Sequence, residues 1–242
     1  DPTNDQFTND RYVTVAWGRD YADVPPLKGV IFTEGSSHEL HVSVDVVALA
    51  LPGGSFVQAL AAGLDEALHR PGAHHLDVRL IAGLAHGASI DLDAFMRDLA
   101  GRITAPTRRL RLYAVVHQYM TPDALRWHGN WNHAKFVAVD SKRVLTGGQN
   151  WTSIDSLEPE PVFDLTLRLD GEPANAAHRF ANRMWASVRR GLSRVASRCY
   201  VDGQHGALDA PPETDEPEQA SSVGNQRVLS LGQLGMEDWP AG

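Results

Sequence analysis

The stretch HAKFVAVDSKRVLTGGQN, residues 133 to 150, gathers residue types that can act together on phosphate. On an extended strand residues two apart share a face, so His133 and Lys135 are expected to project together, with Val137 and Val139 continuing the row. A neutral imidazole is a nucleophile at neutral pH, and an ammonium or amide N–H donates well to non-bridging phosphoryl oxygens. Asn150 supplies such an amide, and Gly147 and Gly148 before it let backbone approach a ligand closely. Asp140 has the opposite parity and stands where DSKR should turn the chain. A structural place is expected for it, as an Asx-type turn or a fixed carboxylate at the hairpin bend.

Phosphoryl transfer needs mainly positioning and charge neutralisation, which this set offers without a metal. No carboxylate cluster stands beside the motif to hold Mg²⁺ or Zn²⁺, so neither metal nor cofactor is expected. Asp164, in VFDLTLRL, is the carboxylate expected to orient His133, because a partner on the other ring nitrogen fixes the tautomer and stabilises imidazolium. The competing reading of the motif is a solvent-facing hairpin with chance polar residues. Trp127, Trp131 and Trp151 bracket the motif and suit either a substrate pocket or the core. Gly147, Gly148 and Trp151 form the expected substrate-binding set. His74, His75, His117 and His128 lack partners at metal-ligand spacing and read as surface or loop histidines.

The elements that must hold this set follow from periodicity. Residues 1–41 read as a β-rich segment, and HVSVDVVALAL is a long β-branched run. SFVQALAAGLDEALH places Phe56, Leu60, Leu64 and Leu68 on one helical face, ended by Pro71-Gly72. A strand LDVRLIAG, a helix from Asp91, a strand RLRLYAVV, the hairpin, a strand in VFDLTLRLDG and a long helix from Pro173 follow, the arginines of this last helix reading as its solvated face. This order indicates an α/β (α+β) layer structure, a mixed β-sheet flanked by helices. Residues 42–201 would form that domain, 202–226 an acidic, Pro-rich linker, and 227–242, with RVLSLGQLG, the start of a second half-domain.

Composition narrows the class. The chain has 242 residues, 43% of them hydrophobic, which suffices for a packed core. Its formal charge is −8, and the stretch DAPPETDEPE carries five acids and no base, so the remainder is close to neutral. That argues against a strongly basic polyanion binder. Cys199 is the single cysteine, which excludes an intrachain disulfide and a cysteine metal site. No apolar stretch nears the roughly 20 residues of a membrane span. The start, DPTNDQFTND, has neither a basic nor an apolar leader region, and the compartment stays open.

HxKxxxxD (His133, Lys135, Asp140) followed by GGxN (Gly147, Gly148, Asn150) resembles the phospholipase D superfamily signature. WNHAKFVAVD, LTGGQNW, FDLTLRLDGEPA, RFANRMW and VDVVALALPGGSFVQALAAGL are similar to the amino-terminal half of secreted bacterial phospholipases D, over about residues 42 to 236. The resemblance implies a two-lobed fold of which this is one half, one histidine forming a phosphohistidine and another acting as general acid. It also implies hydrolysis or transphosphatidylation of phospholipids at a membrane surface, and secretion. Only one signature is present, so a second half is expected from a downstream segment or a homodimer. The alternatives are a nuclease of the superfamily acting as a single-motif dimer and a catalytically silent fragment or fusion. DPTN and VTVAWGRDYADVPPLKGVIFTEGSSHELHVSVDV resemble the carboxyl-terminal tail of bacterial transglutaminase-like proteins, whose Cys-His-Asp triad would have Asp1 as its last member. No matching cysteine or histidine precedes it.

Overall fold

The computed structural model describes residues 41–69, 75–84, 89–119, 130–140, 143–152, 165–189 and 194–208. The β-rich segment expected up to residue 40, Trp127, His128, Asp164, the acidic stretch from residue 209 and the strand expected beyond 227 lie outside the described residues.

The chain runs β1 (His41–Ala48), α1 (Ser55–His69), β2 (His75–Gly83), α2 (Leu92–Gly101), β3 (Leu110–Tyr119), β4 (Asn130–Trp131), β5 (Phe136–Val139), β6 (Arg143–Gly147), β7 (Thr166–Asp170), α3 (Glu172–Arg189), β8 (Arg194–Val201) and β9 (Gln204–Ala207). The sheet order is β7-β6-β5-β1-β2-β3-β8-β9, with β4 paired to β3 off this path. β1, β2 and β3 are parallel, and the flanking pairs are antiparallel. The mixed α/β class expected from the element order is the class observed.

The alternation along the strands divides the core into two layers. Val44, Val46, Leu76, Val78, Leu80, Leu112 and Val137 face α1 and α2, where Phe56, Leu60, Leu64, Met96 and Leu99 close the layer. Val47, Ile81, Val115, Phe136 and Val144 face α3 and its Ala181, Met184, Trp185 and Val188. The helical faces that the sequence pattern singles out are therefore the buried ones, and the sheet lies between two helical layers. Asp91 caps α2 by accepting from Ala94 N at 2.8 Å. Asp65 of α1 accepts from Thr104 N at 2.6 Å and Ala105 N at 2.8 Å, fastening the exit of α2 to α1.

One boundary differs from expectation. The linker does not begin at residue 202, because Asp202 (φ 53°) and Gly203 (φ 81°) turn β8 back into β9. Two successive left-handed residues suit a two-residue hairpin turn, and Asp-Gly supplies them. Leu208 then packs, 6% exposed, in the α3 layer. The sheet thus extends to Ala207.

Candidate active site

The motif sits where β1 and β2 end. β2 pairs with β3 up to Gly83 opposite His117, and beyond that point β4 takes over, with Trp131 opposite Gln118. The chain must then reach β5, which pairs with the far side of β1 from Phe136 opposite Val47. Residues 132 to 135 make that crossing over the carboxyl ends of the parallel strands, the end at which open α/β sheets bind ligands. Crowding there is severe. A Cβ added to Gly83 would stand 2.3 Å from Asn132 O and 2.7 Å from Leu49 O, so only glycine lets the three backbones meet.

His133 and Lys135 are close together, but not because they alternate on a strand. β5 begins only at Phe136, and the pair is brought together by a turn. Asn132 Oδ1 accepts from Ala134 N at 3.0 Å, an Asx-type turn with His133 at its apex. His133 is exposed, while Asn132 and Lys135 on either side are each 6% exposed. The Lys135 ammonium donates to the His133 carbonyl at 2.7 Å and lies 3.1 Å from His133 Nδ1. An ammonium only donates, so in this arrangement Nδ1 accepts and the ring proton resides on Nε2. A nucleophilic Nε2 needs the other tautomer, with Nδ1–H given to an acceptor.

The other expected residues fall as follows. Gly147 N donates to Lys135 O at 3.4 Å, and Thr146 Oγ1 to the same carbonyl at 3.1 Å, so β6 holds the lysine's backbone. A Cβ on Gly147 would meet Leu165 O at 2.1 Å, which makes this glycine a packing requirement of β7. Gly148 is exposed and donates to Leu165 O at 3.2 Å. Asn150 follows, partly buried. Trp151 is a correction to the substrate-binding set: at φ 57° its indole turns into the α1 layer and is 1% exposed, and its carbonyl accepts from Gly53 N at 3.1 Å. Asp140, at φ 50°, does brace the end of β5. Its carboxylate reaches across to β1, accepting from Ser43 N at 2.8 Å, while its own N–H donates to Ser43 O at 3.0 Å.

Sequence reasoning passed over a buried charge cluster on the α3 face. Asp45, opposite Arg79 in the β1–β2 register, accepts at Oδ2 from Arg79 Nη2 and from His178 Nδ1, each at 2.5 Å. The three side chains are 1%, 4% and 3% exposed. Burial alone would raise the Asp45 carboxyl, but the Arg79 guanidinium and the His178 hydrogen bond outweigh it and hold the group below its ordinary range. The cluster joins α3 to the middle of the sheet that carries the site.

Among known proteins, a phospholipase D from Streptomyces antibioticus is 28% identical over 201 residues, 80% of this chain and 35% of the relative. The chain thus spans about a third of that relative's length. An uncharacterized protein of Mycobacterium tuberculosis is 60% identical over 47 residues, 19% of this chain and 15% of the relative. Of solved structures, NucT from Helicobacter pylori aligns with a TM-score of 0.49 and 13% identity, covering 72% of this chain and 96% of its own. No family model matches the chain.

Proposed function

For a chain that belongs to the phospholipase D superfamily, we propose a phosphodiesterase in which His133 attacks phosphorus and Lys135 neutralises the phosphoryl oxygens. The observation that carries this reading is the pairing of an exposed imidazole with a lysine ammonium 3.1 Å away, raised together over the carboxyl ends of β1 and β2. Asn150 adds an amide donor for the non-bridging oxygens, and Asp164 accepts a hydrogen bond from Nδ1–H of His133, holding the ring proton there and leaving the Nε2 lone pair free. The arriving phosphate draws the Lys135 ammonium off Nδ1, so charge neutralisation and the change of tautomer occur together.

In the first step Nε2 forms a bond to phosphorus as the P–O bond to the leaving alcohol breaks, and a general acid gives that alcohol its proton. Water, or another alcohol, then loses a proton to the same group and displaces the imidazole. That acid belongs to a second HxKxxxxD half, from a downstream segment or a second copy of this chain, since general acid–base assistance contributes about 10²–10⁴-fold. The Streptomyces relative favours phospholipids as substrate, with hydrolysis or transphosphatidylation as the outcome. Among the described residues no helix is long and apolar enough to cross a membrane.

The test pairs size-exclusion mass with choline release from phosphatidylcholine vesicles. Release is expected from assemblies holding two motifs, either a dimer or the chain joined to a second half, and not from the monomer. Digestion of DNA without choline release would assign a nuclease instead. A two-motif assembly inactive on every phosphodiester would contradict the reading.

A further inference from the structure

The geometry points to Asn132 as the residue that positions His133. Its amide does two jobs at once. Nδ2 donates to Ala48 O at 2.7 Å and reaches Ile81 O at 3.5 Å, joining the last turns of β1 and β2, while Oδ1 takes the Ala134 N–H at 3.0 Å. The orientation of the amide is fixed by this environment. Exchanging its O and N would set an oxygen against two carbonyls and an NH₂ group against an N–H. Ala48 and Ile81 belong to neighbouring parallel strands, so the bridge spans the sheet beneath the crossing segment.

Without it, residues 132 to 134 would cross the strand ends between Trp131, paired with β3, and Lys135 O, held by β6. With it, the turn that lifts His133 into solvent is bolted on its N-terminal side to the two strands below. Gly83 completes the seat, since any side chain there would collide with Asn132 O. A donor pair and an acceptor on one short side chain match what the seat requires: serine could accept from Ala134 N but is too short to reach Ala48 O, and alanine does neither.

The activity arm of the test rests on the phosphodiesterase reading, and the spectroscopic arm does not. In the two-motif assembly, Asn132→Ser and Asn132→Ala are expected to lower kcat about 10²-fold, the loss a displacement of about 1 Å can cause, with KM changed less than about threefold. A purely structural loss would instead remove active molecules and recover on cooling. In the full chain labelled at histidine, His133 gives a single ring-carbon NMR signal that becomes doubled or broadened in either variant, while the core methyl signals of Val44 and Leu80 keep their positions. Asn132→Ser retains the turn and is the decisive variant should Asn132→Ala disturb the core. Unchanged kcat together with an unchanged His133 signal would overturn the assignment. If the unsubstituted assembly turns over no phosphodiester, the proposed function falls, and the His133 signal still decides whether Asn132 positions it.

Discussion

His178 Nδ1 lies 2.5 Å from Asp45 Oδ2, joining α3 to β1 across 133 residues of sequence. Arg79 Nη2 shares the same oxygen, so one buried carboxylate compensates a guanidinium and fixes an imidazole. Removing the charge leaves Arg79 buried against a neutral amide. Asp45→Asn is therefore expected to cost about 3–5 kcal/mol in denaturant unfolding, the range for breaking a buried pair from one side. A loss under about 1 kcal/mol would mean that the cluster contributes little to holding α3 on the sheet.

The same cluster sets an acid limit on stability. Asp45 is held below its ordinary value of 3.8 when folded, so its contribution is fully present above that value and is lost as pH falls through the lower, folded one. Asp65 adds in the same direction: burial would raise it, but the Ala105 and Thr104 N–H groups prevail. The urea midpoint should fall as the solution is acidified below about pH 4, with a shallower fall in Asp45→Asn. A midpoint that rises on acidification would contradict this.

Asp140 combines a left-handed backbone with an acceptor for Ser43 N. Asparagine tolerates both demands and alanine neither. Asp140→Ala should lose about 1–3 kcal/mol of unfolding free energy, and Asp140→Asn less than half as much. Equal losses would remove the backbone conformation from the explanation.

Gly147 stands against β7 with no room for a methyl group. Gly147→Ala should destabilise by about 1–3 kcal/mol through forced separation of β6 and β7, read as a lowered thermal midpoint. An unchanged midpoint would show that the two strands part without cost.

Much of the fold was legible because its helices carry uninterrupted apolar faces. Phe56, Leu60 and Leu64 on α1, and Ala181, Met184 and Trp185 on α3, recur at helical spacing and are buried as that spacing requires. β8 and β9 escaped notice because RVASRCYV mixes arginines with apolar residues directly after a basic helix, although Asp202-Gly203 was a hairpin signal in plain sight. At the site the residue types single out His133 and Lys135, and a turn, not strand alternation, brings the two side chains together. The asparagine directly before the histidine is the sequence sign of that Asx-type turn. Between pocket and core, Trp151 lies in the core at a positive φ, which a linear pattern does not reveal. The Asp45, Arg79 and His178 cluster joins residues far apart in sequence, where local periodicity carries no information.

The central claim is tested most directly by rapid acid-free quenching of the two-motif assembly during turnover of a phosphodiester, followed by mass spectrometry of the peptide carrying His133. A phosphoryl-type adduct on His133 is expected, and a loss of about 10⁴-fold or more in kcat for His133→Ala, with His205→Ala on exposed β9 unaffected. Turnover by His133→Ala at the unsubstituted rate, or an adduct found only on another histidine, would contradict it.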